Sequence, residues 1–431
     1  MHFLHLFVRC MSVFAMLTLS QSIITAQEDV VPPPMPMLDE GNYDVTHFLL
    51  LGSDTANPNN IGRTDALMVV SVNRTSGTVS FLSIPRDLYV YIPGHGMNRI
   101  NTAFGFGEGD EQVEGGGAEL LKETIAYNLG IEIDYFARIN FASFRALIDD
   151  LGGIDVAVDC AIQDWRLREP DLDPTLEENW IMFTLPVGMH HMDGDLALWY
   201  ARSRRTSSDF DRGRRQQVIM RAIWQRVRAL NLYDQLRDIY PQVAESVTTD
   251  IELDDLIGLV PLATTIDASR IAAYTFRANI EVTFFTSPEG MSVVRPVPEA
   301  IMALAQQMIT PPNESELVRE HANIEIVNAS GVRGFAQVAA ERLAWEGFLP
   351  TLSSDSVPYR DYTVIYDYTG QRKGSSLSTL QRILRVSDEG VIIEPDPNRT
   401  VDFRVIIGGN YYSCTHNVLP PTEEAPENTG G

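Results

Sequence analysis

The chain has 431 residues, with 58 acidic side chains against 33 basic ones and a formal net charge of −25 at pH 7. Hydrophobic residues make up 44%, which excludes fibrous and fully disordered classes and allows two or three packed domains. So acidic a chain is a poor bulk binder of nucleic acid, and no nucleic-acid partner is expected.

Residues 1–26 carry a targeting pattern. Arg9 is the only charged side chain before Glu28, and a mostly apolar run extends from Cys10 to Ile24. Two readings stand: a secretory signal cut near Ala26, or an uncleaved membrane anchor. Either places the folded part outside the cytoplasm, secreted or anchored at the outer face of the membrane. Residues 27–44 are acidic and proline-rich and read as a linker.

The first domain is expected over residues 45–310. Val45 to Leu51 is a strand that ends in Gly52-Ser53-Asp54. Two further strands, Ala66 to Val72 and Thr78 to Ile84, are joined by a turn over Asn73 to Gly77. The glycine-rich stretch from Gly94 to Gly117 reads as loop. Helices follow at Ala118 to Asn128, closed by Gly130, and at Phe141 to Leu151, ended by Gly152-Gly153. Ile154 to Val158 is a short strand, and Ile162 to Thr184 a polar excursion containing tryptophan. Met192 to Ala201 and Arg215 to Leu230 read as helices flanking an arginine-rich loop. Leu253 to Leu262 and Pro298 to Met308 are further helices. The mixture predicts an α/β core around a buried sheet.

Pro311-Pro312-Asn313 opens a boundary. A smaller α/β domain is expected over 321–412, with strands at Asn323 to Asn328, Tyr362 to Tyr366 and Phe403 to Gly408. Its helices are Phe335 to Glu346 and Leu377 to Ile383. Residues 418–431 read as a disordered tail. Of the three cysteines, Cys10 lies in the targeting segment, while Cys160 and Cys414 can pair in an oxidising compartment. No cysteine spacing suggests a metal site.

The chemistry concentrates between Asp54 and Gln217. Asp54, Asp65 and Asp87 sit at the mouths of strands. Grouped carboxylates are hard oxygen ligands that suit Mg²⁺ beside phosphates; loop capping is the structural alternative. Arg63, Arg86 and Arg99 lie beside these acids, where ordinary surface salt bridges are the plainer reading. Arg202 to Arg215 holds six arginines in fourteen residues, in a chain with only two lysines. Arginine is the better bidentate partner for phosphate, and a compact diphosphate fits a concentrated positive site in an acidic chain. His190 and His191 are adjacent and read as structural rather than as a metal pair.

The runs LLLGSD (49–54), GRTDALMVVSV (62–72), SIPRDLYV (83–90), NRINTAF (98–104), INFASFRALIDDLGGIDV (139–156), MDGDLALWYARSR (192–204) and DFDRGRRQQ (209–217) resemble the LytR-CpsA-Psr family of bacterial envelope phosphotransferases. IVNASGVRGFA (326–336) resembles the small C-terminal domain often attached to it. The resemblance implies an α/β/α sandwich with a central mixed sheet and an apolar groove for a polyprenyl tail. It implies transfer of a glycopolymer from an undecaprenyl-pyrophosphate carrier to peptidoglycan through a phosphodiester link.

By motif, Asp54 and Asp65 match metal-side aspartates, with Mg²⁺ as the cofactor and Mn²⁺ as the alternative. Arg63, Arg86, Arg202 and Arg204 match arginines that line the pyrophosphate. Arg212, Arg215 and Gln216 match the later arginine–arginine–glutamine pattern, and Arg99 stands where lysine is common. Asp211 lies within that pattern as a residue that orients an arginine. Asp87 is the candidate general base, or a residue that only orients Arg86. Phe136, Ile139 to Phe144 and Leu196 to Trp199 line a lipid channel or belong to the core. The expected partners are a polyprenyl-pyrophosphate-linked glycan, peptidoglycan and a membrane surface; the partner of the C-terminal domain stays unassigned. The rival functions are hydrolysis of a polyprenyl-pyrophosphate glycolipid and non-catalytic binding of an anionic envelope glycolipid.

Overall fold

The computed structural model describes residues 31–53, 64–371 and 375–414. Three strands open the main sheet: β1 (Val45–Ser53), β2 (Thr64–Asn73) and β3 (Thr78–Ile84). They are rich in valine, leucine and isoleucine and largely buried, as suits strands covered on both faces. β1 pairs antiparallel with β2, and β2 with β3. The turn between β2 and β3 uses Gly77 at φ 66°, a conformation that favours glycine.

A hairpin of β4 (Tyr89–Ile92) and β5 (Gly96–Arg99) follows. Helix α1 (Gly116–Leu129) stops at Gly130, whose φ is 69°. β6 (Tyr135–Ile139) then runs parallel to β1. Helix α2 (Phe141–Asp150) is capped by the Asn140 side chain. β7 (Ile154–Val158) pairs with β10 (Gly188–Met192), and between them β8 (Ile162–Leu167) and β9 (Trp180–Leu185) form a projecting hairpin. Helices α3 (Gly194–Arg202) and α4 (Asp209–Ala229) come next. β11 (Val247–Thr249), helix α5 (Leu253–Thr265) and β12 (Ile271–Thr275) complete the sheet, in the order β11-β6-β1-β2-β3-β12.

Period-two alternation sorts the side chains of β1 and β2 onto two faces. Leu49, Leu51, Leu67 and Val69 pack with α1 and with helix α6 (Pro298–Ile309). Leu50, Met68 and Val70 pack with Met220 and Trp224 of α4 and Leu262 of α5. The fold is therefore an α/β/α sandwich on a mixed sheet. A hairpin of β13 (Val282–Thr286) and β14 (Ser292–Pro296) braces the segment after β3, where the Val294 amide donates to the Asp87 carbonyl at 3.0 Å.

The second sheet is built from β15 (Asn323–Asn328), β16 (Leu349–Leu352), β17 (Val364–Asp367), β18 (Val391–Ile393) and β19 (Phe403–Ile407), in the order β16-β15-β19-β17-β18. Helices α7 (Phe335–Ala344) and α8 (Leu377–Leu384) cover it around a separate core. This small α/β domain is stapled to the first. Cys160, just after β7, is disulfide-bonded to Cys414, and the Ser413 hydroxyl donates to the Asp159 carbonyl at 2.5 Å.

Two sequence expectations change. The Gly94–Gly117 stretch contains β5 and a helix over Ala103–Gly109. Ile100, Ala103 and Phe104 are buried there, so tertiary packing overrides the glycine content. Helix α4 starts at Asp209, six residues earlier than its periodicity suggests. Ser208 and Asp211 form a capping box that satisfies the first turn. Asp211 thus caps the helix. Among the described residues, no helix is long and apolar enough to cross a membrane. The targeting segment over 1–26 lies outside those residues.

Candidate active site

The site forms where β2 begins, β3 ends and α4 starts. Thr64 turns into the core and donates its hydroxyl to the Asn101 carbonyl at 3.2 Å. Alternation then turns Asp65 outward. After β3, Pro85 ends the ladder and releases Arg86 and Asp87. The Arg86 Nη1 donates to Asp65 Oδ1 at 2.8 Å, its Nε lies 3.5 Å from Asp87 Oδ2 and 3.9 Å from Asp209 Oδ1. Burial alone would depress the Arg86 guanidinium. The Asp65 hydrogen bond and the charges of Asp65, Asp87 and Asp209 outweigh it and hold it above its ordinary value.

Arg99, at the end of β5, reaches the same point. Its Nε lies 3.2 Å from Asp87 Oδ1, and its Nη2 donates to the Ser292 carbonyl at 3.1 Å. On α4, Asp209 and Arg212 are one turn apart and pair at 3.0 Å. Arg212 also donates to the Asp65 carbonyl at 3.0 Å. Its side chain is only 8% exposed, and burial pulls its guanidinium below the ordinary range, partly offset by Asp209. Arg204 closes the cluster from the α3–α4 loop, 3.6 Å from Asp209 Oδ1. Asp209 is the hub: it meets Arg86, Arg204 and Arg212 within ion-pair distance.

The structure thus gathers Asp65, Arg86, Asp87, Arg99, Arg204 and Arg212. Gln216 borders a small pocket with Asp65, Asp209 and Arg212, and its amide donates to the Ala201 carbonyl at 3.4 Å. Arg215 is buried away from the cluster. It donates to the carbonyls of Tyr200 and Ser203 and to the Ser207 hydroxyl, so it ties the α3–α4 loop to α4. Arg202 lies 4.2 Å over the Phe141 ring, on a neighbouring groove. Asp54 and Arg63 fall outside the described residues. His190 and His191 each bond to backbone or Asp155 rather than converging.

Close approach of α4 to β3 makes this geometry possible. A Cβ on Gly213 would lie 2.8 Å from the Ser83 Cβ. Gln217, one turn on, donates its amide to the Ser83 hydroxyl at 2.9 Å and to the Tyr274 carbonyl at 2.7 Å. Beside the cluster, Asp87, Arg204 and Asp209 line an open cleft of about 710 Å³. Among the described residues, no group of three histidine, cysteine, aspartate or glutamate side chains is arranged to hold a metal ion.

Asp209 and the role of α4's first turn escape a reading of the sequence that starts the helix at Arg215. The Ser208-x-x-Asp211 capping pattern was the available signal. The long-range contacts of Arg215 have no local signature.

Fold and site describe an α/β/α protein with an arginine–aspartate centre at its strand ends. Residues 21–308 match the LytR_cpsA_psr family, and residues 321–411 match a domain described as LytR cell envelope-related transcriptional attenuator. The chain belongs to the LytR_cpsA_psr family of cell-envelope-associated proteins. It is 33% identical over 242 residues to the polyisoprenyl-teichoic acid–peptidoglycan teichoic acid transferase TagT of Bacillus subtilis, across 54% of this chain and 69% of that protein. It is 30% identical over 242 residues to the transferase TagU of Enterococcus faecalis, across 55% of this chain and 72% of that protein. A crystal structure of B. subtilis TagV aligns with 62% of this chain and 98% of that one, at 25% identity and a TM-score of 0.49.

Proposed function

We propose that this protein works outside the cytoplasm as a phosphotransferase. It moves a glycopolymer from a polyprenyl-pyrophosphate carrier to peptidoglycan and leaves a phosphodiester link. One observation carries the reading: four guanidinium groups, of Arg86, Arg99, Arg204 and Arg212, interlock with the carboxylates of Asp65, Asp87 and Asp209 beside an open cleft. Similarity to relatives named teichoic acid transferases supports it.

Phosphoryl transfer needs charge neutralisation and in-line alignment more than covalent help from the protein. Arg86, Arg204 and Arg212 hold the non-bridging oxygens of the phosphorus that carries the glycan. An acceptor sugar hydroxyl attacks that phosphorus. The new O–P bond forms as the bond to the bridging oxygen breaks, and polyprenyl phosphate leaves with that electron pair. Asp87 takes the hydroxyl proton; Arg86 and Arg99 hold its carboxylate in place.

A hard divalent ion would suit a diphosphate site of this kind: Mg²⁺ keeps several waters and needs only one or two protein carboxylates beside phosphate oxygens. Four guanidiniums against three carboxylates leave little positive charge for a diphosphate, so an added cation is electrostatically reasonable. Asp65 with Asp54 would hold Mg²⁺, or Mn²⁺ in its place, which would supply charge neutralisation at the pyrophosphate.

Helix α5 is our candidate wall for the apolar carrier. Helix α5 is mostly apolar yet has no fully buried residue. It flanks the face that carries Leu50, Met68 and Val70. Phe144, Leu196 and Trp199, by contrast, pack on the core around β7 and α3.

The test is a transfer assay with a short polyprenyl-pyrophosphate glycan as donor and a peptidoglycan fragment as acceptor, with Mg²⁺ and then with chelator. Metal-dependent phosphodiester product is expected. Arg86→Ala and Asp65→Ala should each lose roughly a hundredfold in rate, about 3 kcal/mol of transition-state stabilisation, with near-normal melting. Release of glycan phosphate without coupling would make the protein a hydrolase. Binding with neither product would make it a non-catalytic binder, and a folded variant with normal turnover would remove these residues from the site.

A further inference from the structure

Three of the chain's five tryptophans line a single groove. Trp165 and Trp180 come from the β8–β9 hairpin, and Trp199 from α3. The groove holds about 270 Å³. Trp165 is 51% exposed, although nothing in the hairpin's fold calls for a large apolar ring in water. The other two rings are fixed by their edges. The Trp180 Nε1 donates to the Pro174 carbonyl at 3.0 Å, and the Trp199 Nε1 to the Trp165 carbonyl at 2.9 Å. Phe183 meets Trp199 edge-on at 5.1 Å. Its edge satisfied, Trp180 keeps a ring face for contact beside the exposed Trp165, while Trp199 backs the groove from the core.

The polar groups of the groove have both signs. Arg145 and Asp195 pair across it at 3.0 Å, and Arg202 and Asp164 complete its rim. Fixed aromatic faces bordered by both guanidinium and carboxylate suit a pyranose. The C–H face of the sugar stacks on the ring, while its hydroxyls donate to the acid and accept from the base. A polyanion would meet the carboxylates of a chain with a net charge of −25.

The groove runs into the arginine centre. Asp164 and Trp165 also line the cleft that holds Asp87, Arg204 and Asp209. The Asp164 carboxylate accepts the backbone amides of Arg204 at 2.8 Å and Arg205 at 3.2 Å, so one residue orders both the groove wall and the loop that delivers Arg204.

The geometry points to this groove as the acceptor subsite: it binds a strand of pyranoses and presents a hydroxyl to the phosphorus held by Arg86, Arg204 and Arg212. The inference rests on the transferase reading for its second half and on the groove alone for its first. The test uses the full chain with Trp165→Ala, Trp180→Ala and the double variant. Two readouts are needed: the acceptor KM against the donor KM, and quenching of tryptophan fluorescence by a glycan fragment of peptidoglycan without donor. Each substitution should raise the acceptor KM and the fragment Kd by about tenfold, the loss of one stacked ring. The donor KM should stay put, and Trp165→Phe should restore most of the binding. Wild-type acceptor KM and fragment affinity in the double variant would overturn the subsite while leaving the transferase intact. Ring-dependent fragment binding with no product from any donor would uphold the subsite and sink the transferase.

Discussion

Gly213→Ala isolates the close packing of α4 on β3 from the charges around it. The new Cβ would lie 2.8 Å from the Ser83 Cβ, where ordinary contact begins at 3.4 Å. Both atoms are fixed to backbone, so no side-chain rotation relieves the overlap. The helix must shift by about 0.6 Å, and it carries Arg212 on the adjacent residue. Alanine favours the helix over glycine by about 1 kcal/mol, while overpacking costs about 1–3 kcal/mol. The net destabilisation is therefore small, about 0–2 kcal/mol, and the fold persists. Catalysis is less forgiving: a displacement approaching 1 Å at a substrate-positioning group costs on the order of a hundredfold. A loss of roughly tenfold to a hundredfold in kcat/KM is expected in the transfer assay, with a melting temperature within a few degrees of the wild type. Adding Ser83→Gly removes the atom in the way and should recover part of the loss, although it also removes the Gln217–Ser83 hydrogen bond. Unchanged turnover in Gly213→Ala would refute the claim that helix–strand distance sets the site.

Two further predictions concern stability. Arg221 is 2% exposed and lies over the Trp345 ring at 4.4 Å, with Glu341 of α7 as its ion-pair partner at 3.4 Å. Glu341→Ala leaves that charge uncompensated beside a cavity of about 200 Å³ and should cost about 3 kcal/mol in urea unfolding; an unchanged midpoint would mean that water suffices there. His47 is buried on β1 between the Ser71 hydroxyl at 2.7 Å and Glu40 at 3.0 Å. Burial, partly offset by Glu40, lowers its pKa below the ordinary 6.5. The unfolded chain therefore takes up this proton first as pH falls. Stability is full above about pH 6.5 and declines as pH drops toward the folded value. His47→Gln should flatten unfolding midpoints between pH 7 and 5 relative to the wild type, and identical slopes would remove His47 from the account.

Legibility followed the range of the forces involved. The strands β1, β3 and β7 could be read from local pattern, since runs of valine, leucine and isoleucine bounded by Gly, Asn or Pro leave few alternatives. Helix α1 could be read because Gly130 ends it. The sheet order could not: β6 and β12 are short and half-buried, and their parallel pairing to β1 and β3 is set by long crossovers. At the site, the motifs carried Asp65, Arg86 and Arg212 to one place. They did not separate Arg202 from Arg204. Ser203 is extended at the end of α3, so these neighbours diverge, one toward the tryptophan groove and one toward Asp209. Arg215 matched the arginine pattern equally well, yet its burial on one oxygen of α3 and two of the loop after it gives it a positioning role that no spacing reveals.

The charge balance of the centre has a consequence for affinity. Exposed arginines would be solvated and mobile, and a phosphate would have to order them. Here the guanidiniums of Arg86 and Arg212 are already oriented by carboxylates, so on the proposed function phosphate oxygens would exchange with anions in place and little reorganisation would remain. The contributions should differ with depth. Arg204 is 48% exposed, and water and salt screen it. Arg212 has lost nearly all its hydration and pairs with Asp209 at 3.0 Å, so on the proposed function a diphosphate should gain most from that group, where water screens least. On the proposed function, a chain with a net charge of −25 would need no broad positive surface: the buried, pre-paired Arg212 on α4, beside Asp65 of β2, would concentrate the attraction at the transferred phosphorus.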